Sequence, residues 1–451
     1  YRKLLSDASP EVRRVALHSV IRTRPPAILP VLLNMVGDKE VRVELRFAIA
    51  GYGEAALQHV TEMLSDKSVP QDQKKLLLRI ATDLQNPQAM ELLMNTAMGS
   101  NMALRFVAMK GLNRIRRRQT LSVPRNSLTE LLNQELTSLE LEQERSRFAL
   151  AERNGLLHSV LDQRKAWARE RIFRVLGLIY EPKSIYNAYR ALLSDDPRLA
   201  DSALEFLDVT LAPEYRSRVL NLLELKRRQE KSVDATARKS VLLGYLGARD
   251  ELPSAAIIAD LHADELKNWR EEIDQVMMAF PNQPLVEETV EWRYTVMDLT
   301  TKAREKLTTI QKLEHLSKID IFSHMGPQEL LILANQCTQI DLNANHVLFQ
   351  EGERAREIFA LVLGKVELSR SNGHLTTVTP NQSFGTLSVL SDQPRIFTAR
   401  TLEPSLCLII DRDSFWDILE DYPTMTQGIF KVLALRMKAL TEPGMDDNSP
   451  L

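Results

Sequence analysis

Apolar residues recur at helical spacing along the first two thirds of the chain. Val12, Val15, Ala16 and Val20 form one stripe. Asp7 and Ser9 before it are N-cap types, Pro10 suits the first helical position, and Glu11 suits the first turn. A second helix is predicted after Pro25-Pro26, with Ile28, Leu32, Met35 and Val36 apolar. The unit restarts at Asp38-Lys39-Glu40-Val41-Arg42, so Asp7 to Asp38 spans 31 residues and Arg13 to Arg42 spans 29. A third unit starts near Pro70 and a fourth near Asn101, where Leu104-Arg105 takes the Val-Arg place. Similar patterning returns in Glu170–Tyr180 with Ser184–Leu193, in Pro197–Leu207 with Arg216–Leu225, and in Arg238–Leu246. A period near 30 with two helices per unit predicts an α-solenoid over residues 1–305. The polar, Glu- and Gln-rich stretch Leu128–Gln163 reads as an extended helix or an ordinary long helix pair within it.

The texture changes near residue 315. A short helix is expected from Pro327 to near Cys337, then short strands at Val347–Phe349, Ile358–Leu363, Val366–Leu368, Arg395–Leu402 and Leu406–Asp411. Turn signals separate them at Glu351-Gly352-Glu353, Gly364 and Asn372-Gly373. Helices are expected at Ser414–Glu420 and Thr424–Leu440. The prediction is a mainly α chain: the solenoid, a linker helix at 306–314, a small β-roll or barrel with flanking helices at 315–441, and a disordered tail at 442–451. Glycine sharpens the boundary: nine of the 16 lie in residues 1–315 and seven in the remaining 136.

Composition narrows the function classes. In 451 residues, 58 Lys and Arg face 60 Asp and Glu, a balance that argues against nucleic acid as the partner. Two cysteines exclude a disulfide scaffold and favour a reducing setting. The eight histidines show no metal-ligand spacing, so no metal site is expected. Gly51-Tyr52-Gly53 has no third glycine and lies in helical context, so it is not a dinucleotide fingerprint. The basic cluster Arg114–Arg118 reads as a charged helix C-terminus. Without a nucleophile elbow, P-loop or zincin motif, the expectation is a binding protein and not an enzyme.

The repeat units resemble HEAT-type repeats in their Asp-x(4)-Val-Arg pattern and the small residue, Ala16 or Ala48, that follows. Residues ~313–440 resemble a cyclic-nucleotide-binding domain. The matching residues, in order, are Leu316, Ile321-Phe322, Leu330, Gly352-Glu353, Leu363-Gly364-Lys365-Val366, Phe384-Gly385 and Pro394-Arg395. The resemblance implies a phosphate-binding cassette over Phe384–Ala399. In it Gly385 is the turn, Leu387, Ser388 and Val389 offer N–H groups, and Arg395 forks onto the phosphate. Two departures stand out. Thr386 occupies the place of the glutamate that accepts the ribose hydroxyl, and Ile396-Phe397 replace two small residues. Phe397 either fills the pocket or, by strand alternation, points into the barrel core. The expected ligand is a cyclic nucleotide, another nucleotide, or none, with weak or absent binding of cyclic AMP.

The pairing of the two parts, together with Arg171–Tyr180 and Ala203–Asp208, resembles the soluble C-terminal region of bacterial proteins that carry an ATP/ADP-carrier-like membrane transporter. That resemblance implies a regulatory module on the cytoplasmic side of the inner membrane. Its partners would be an upstream membrane domain and other proteins bound by the solenoid surface. The alternative is a pure protein–protein scaffold whose barrel binds no nucleotide.

Overall fold

The computed structural model describes residues 1–38, 40–117, 124–149, 155–194, 196–224, 235–297, 306–371, 373, 375–421, 429–430 and 434. The expected helix Thr424–Leu440, apart from three of its residues, and the tail 442–451 lie outside them. The described residues are mostly helical, with antiparallel β-structure between Thr338 and Asp411. It divides into two compact units, the first made of Tyr1–Gln143 with Lys165–Gln229, the second of Glu144–Arg164 with Glu230–Leu451. This division differs from the 305/315 boundary suggested by glycine content, because residues 230–305 share a compact unit with the β-structure.

In the first unit, helix starts fall where the sequence marks them. Pro10–Thr23 begins with Ser9 as N-cap and Pro10 at the first position. Gln71–Leu84 follows Pro70, and Met102–Arg116 is capped by Asn101, whose side chain accepts from Leu104 N. Pro10–Thr23 packs on Arg42–Ala50, that helix on Gln71–Leu84, and that one on Met102–Arg116. Ion pairs join neighbouring segments: Arg13 to Asp38 at 3.0 Å, Arg46 to Asp83 at 2.8 Å, and Arg105 and Arg171 to the fully buried Glu135. The Leu128–Gln163 stretch contributes to two helices, Arg125–Ala149 and Leu156–Ile179, and its Leu131, Leu132, Leu136 and Leu139 are buried in the core of the first unit.

Among the described residues of the second unit, eight strands form two four-stranded sheets. The strands are β1 (Thr338–Leu342), β2 (Val347–Phe349), β3 (Glu357–Leu363), β4 (Val366–Ser369), β5 (Leu375–Val378), β6 (Ser383–Phe384), β7 (Thr398–Thr401) and β8 (Ser405–Asp411). The sheet orders are β1-β8-β3-β6 and β2-β7-β4-β5, with every pairing antiparallel. Because side chains alternate along a strand, the unbroken apolar run of β3 is buried on both faces. Phe359 and Leu361 join the barrel interior, with Phe349, Leu368, Phe384 and Cys407. Ile358, Ala360 and Val362 join a second core that includes Leu313, Leu316, Phe322 and Phe415. That core also holds Leu161, Leu242, Tyr245 and Ile257 from the preceding helices, so the helices flanking the barrel share a core with chain from before residue 305. The expected linker helix is instead the start of Thr309–Lys318, whose Ile310, Leu313 and Leu316 are buried. A capping box of Thr308 and Gln311 opens it.

Candidate functional site

The pairing of β6 with β3 fixes the entry to the cassette. Phe384 lies opposite Phe359, and their rings stack at 5.2 Å between centroids with a 16° interplanar angle. Behind β6, Asp320 Oδ1 accepts the Ser383 hydroxyl at 2.8 Å, while Asp320 N–H donates to Asn381 O at 3.2 Å. The strand is thus pinned from a short 3-10 turn, Asp320–Phe322, just before the chain bends into the site.

Gly385 makes that bend. Its φ of 75° is left-handed, and a Cβ there would sit 2.4 Å from Arg395 Nη1. Glycine is therefore required twice, by backbone conformation and by space. The helix Thr386–Ser391 follows, and its first-turn N–H groups have no carbonyl a turn earlier to bond. Asp392, also at positive φ, ends it and pairs with Arg412.

Arg395 reaches back under this turn and is only 4% exposed. Its Nη1 donates to Gly385 O at 3.0 Å and its Nη2 to Glu357 O at 2.8 Å. The guanidinium lies 4.1 Å from the centre of the Phe349 ring, and its Nε has no hydrogen-bond partner among the described residues. Backbone bonds hold the residue's own position: Arg395 N–H donates to Glu353 O at 2.7 Å, and Gly352 N–H donates to Arg395 O at 2.8 Å. Burial depresses the arginine's pKa, while the Glu357 and Glu353 carboxylates oppose the shift.

A small depression with about 20 Å³ of space opens over this arginine. The residues assigned from sequence divide around it. Gly385, Leu387, Ser388, Arg395 and Ile396 line it, with Phe349, Leu368 and Phe397. Phe384 is buried in the barrel interior. Val389 faces the second core. Thr386 is 2% exposed, and its hydroxyl lies 3.5 Å from that of Ser383, so it points towards β6 and not into the depression. Phe397 does both things open to it, belonging to the barrel interior and to the lining at once. Only Thr398–Thr401 of the expected strand Arg395–Leu402 is strand, because Arg395 must leave the ladder to enter the cassette.

Sequence reading missed Phe349 and Leu368 as lining and Asp320 as the anchor of β6. The first two carry a signal in retrospect, as apolar residues on strands that face the barrel interior. The partner of Asp320, 63 residues away, has no local signature.

Residues 339–422 match the family described as "Cyclic nucleotide-binding domain". The chain is 28% identical over 130 residues to the CRP-like cAMP-activated global transcriptional regulator of Mycobacterium tuberculosis, covering 28% of this chain and 58% of that protein. It is 26% identical over 132 residues to the cAMP-dependent protein kinase regulatory subunit of Dictyostelium discoideum, covering 28% of this chain and 39% of that one. Among solved structures, the sensor domain of the transcriptional regulator DNR from Pseudomonas aeruginosa is 18% identical, covers 30% of this chain and 99% of that chain, and has a TM-score of 0.26. The C-terminal region is a cyclic-nucleotide-binding domain. No helix among the described residues is long and apolar enough to cross a membrane.

Proposed function

We propose that this chain is a regulatory module in which an anion held at the cassette biases the packing of the helical region, with binding and not catalysis as its work. The observation that carries the reading is Arg395, a buried cation with one donor unpaired, placed beneath a glycine turn and the open N–H groups of a short helix. Such a group gains from an anion that supplies the missing acceptor. The cyclic AMP named in the relatives brings a cyclic phosphate as the reference anion. Thr386 withholds a carboxylate from the depression, which supports the reading of a degenerate sensor with weak affinity for that nucleotide.

The helical region fits a HEAT-like solenoid, with the stacked first helices and the Arg-to-acid pairs as its support. Its patterning further supports placement beside an ATP/ADP-carrier-like nucleotide transporter at the cytoplasmic face of a bacterial inner membrane, with the upstream membrane domain and proteins bound on the solenoid surface as partners. Thermal unfolding of the full chain with and without millimolar inorganic phosphate, sulfate or cyclic AMP tests the cassette. Stabilisation by at least one anion that disappears in Arg395→Met supports the proposal. Indifference to every anion removes it and favours the second reading, a protein scaffold. One observation leans to that scaffold reading: both Nη atoms of Arg395 are already engaged by backbone carbonyls. Sequencing of the gene upstream of Tyr1, together with membrane fractionation, tests the transporter link; a gene product without a membrane domain that fractionates as soluble overturns it.

A further inference from the structure

The lining of the depression defines a ligand narrower than "an anion". Five of its side chains are apolar: Phe349, Leu368, Leu387, Ile396 and Phe397. One is cationic, Arg395, whose unpaired Nε belongs to a side chain more than nine-tenths buried. Among the described residues no carboxylate lines the space, and Ser388 supplies its lone side-chain hydroxyl. The residue at the first helical position, Thr386, turns its hydroxyl away towards Ser383.

Each of these features selects. A single forked cation matches one compact negative group, carboxylate or phosphate ester, through charge-assisted hydrogen bonds. An apolar wall rewards an apolar body by removing it from water. A ligand hydroxyl pressed against Leu368, Ile396 or Phe397 would lose its water and find no acceptor in exchange, a penalty that falls directly on affinity. The hydroxyls of a ribose are such groups. Leu387 is 42% exposed at the rim, so it can close over a bound apolar body without disturbing the core.

We infer that the cassette selects a small organic monoanion with an aromatic or aliphatic body and no sugar hydroxyls, the anionic group on Arg395 and the body against Leu387 and Ile396 at the rim. This inference rests on the proposed role of Arg395 as the anion-binding group and names the class of ligand for the same site. The negative group replaces one backbone carbonyl as the partner of the guanidinium and completes Nε, so no bond is made or broken covalently.

Calorimetry on the full chain with 2-naphthoate, hexanoate, inorganic phosphate, cyclic AMP and 2′-deoxy cyclic AMP tests it. Expected are binding of 2-naphthoate at least tenfold tighter than inorganic phosphate, and binding of 2′-deoxy cyclic AMP at least as tight as that of cyclic AMP, since the extra hydroxyl finds no acceptor. Arg395→Met should weaken 2-naphthoate at least tenfold. Leu387→Asp, at an exposed position that leaves the fold intact, should do the same by repulsion at the rim. Cyclic AMP binding tenfold tighter than its deoxy form or than 2-naphthoate, with dependence on Arg395, would overturn the ligand class and leave the anion site standing. Binding of 2-naphthoate unaffected by both substitutions would overturn the class and its location. Failure of all five probes to bind would overturn both the class and the anion site.

Discussion

Replacing Gly385 with alanine probes the one place where backbone and guanidinium meet. The new Cβ falls 2.4 Å from Arg395 Nη1, far inside van der Waals contact, and the φ of 75° must be held by a residue with a side chain. The left-handed conformation costs alanine about 1–2 kcal/mol. Reduced freedom of the unfolded chain returns about 0.4–1 kcal/mol. Moving Arg395 aside removes its bond to Gly385 O, a charge-assisted hydrogen bond worth about 1.5–3 kcal/mol. The sum is a loss of about 2–4 kcal/mol in the opening free energy of β3 and β6. In an Arg395→Met background no guanidinium remains to be displaced, so the same substitution should cost only about 0.5–1.5 kcal/mol, the conformational part. Hydrogen-exchange mass spectrometry on peptides covering 357–363 and 383–391 measures the four corners of the cycle, and it reads local stability in a chain with two compact units. A coupling of about 1.5 kcal/mol or more is expected. Additivity within about 0.5 kcal/mol would refute the claim that Gly385 is required for the arginine's sake.

Asp320→Ala should loosen the strand feeding the cassette by about 2 kcal/mol, because the Ser383 hydroxyl and N–H lose their shared acceptor; exchange protection at 383–391 that stays at the wild-type level would contradict this. Burial pushes the Cys337 thiol up to about 11 and the Cys407 thiol up to about 12, so neither should react with a thiol reagent at pH 8 until denaturant is added, when both should. Burial, with Lys318 nearby, holds the His315 pKa below its ordinary 6.5. The unfolded chain therefore takes up the proton first as pH falls through 6.5, and the folded chain loses stability from there down to the folded pKa. The His315→Gln variant should lack that part of the decline in a pH series of denaturation curves.

The legible parts of this chain were those with local causes. Ser9-Pro10 and Asn101 mark helix starts by residue type and by position, and they read directly, whereas the Thr308–Gln311 capping box emerged only from the structure. Turn glycines read equally well: Gly352, Gly364, Gly373 and Gly385 all have positive φ. The apolar run of β3 read as a strand, and the structure buries it on both faces. Strands β1, β5 and β6 escaped notice because they are short or polar, and their place is set by partners such as β8 and β3 across the sheet. In the site, the resemblance to a cyclic-nucleotide-binding domain picked out Gly385 and Arg395, but the direction of each side chain depends on distant atoms. Arg395 is steered by the Glu357 carbonyl 38 residues away, and Thr386 by Ser383 within a strand whose position Asp320 sets. Glycine content marked a change of texture near 315, yet compactness follows contacts, and Leu161, Tyr245 and Ile257 pack with the helices around the barrel.

The discontinuous second unit has a consequence for synthesis. Its segment Glu144–Arg164 leaves the ribosome well before Glu230, where the rest of the unit begins. Gln163 has two of its partners, the Glu329 carboxylate and the Gln328 N–H, about 165 residues further on. During translation that segment must wait with its apolar residues Leu157, Val160 and Leu161 unsatisfied, an interval in which a chaperone or a wrong partner can claim them. The unit cannot be released by a single protease cut, and a fragment begun at residue 315 would lack the earlier chain, Leu161, Tyr245 and Ile257 included, that shares a core with its flanking helices.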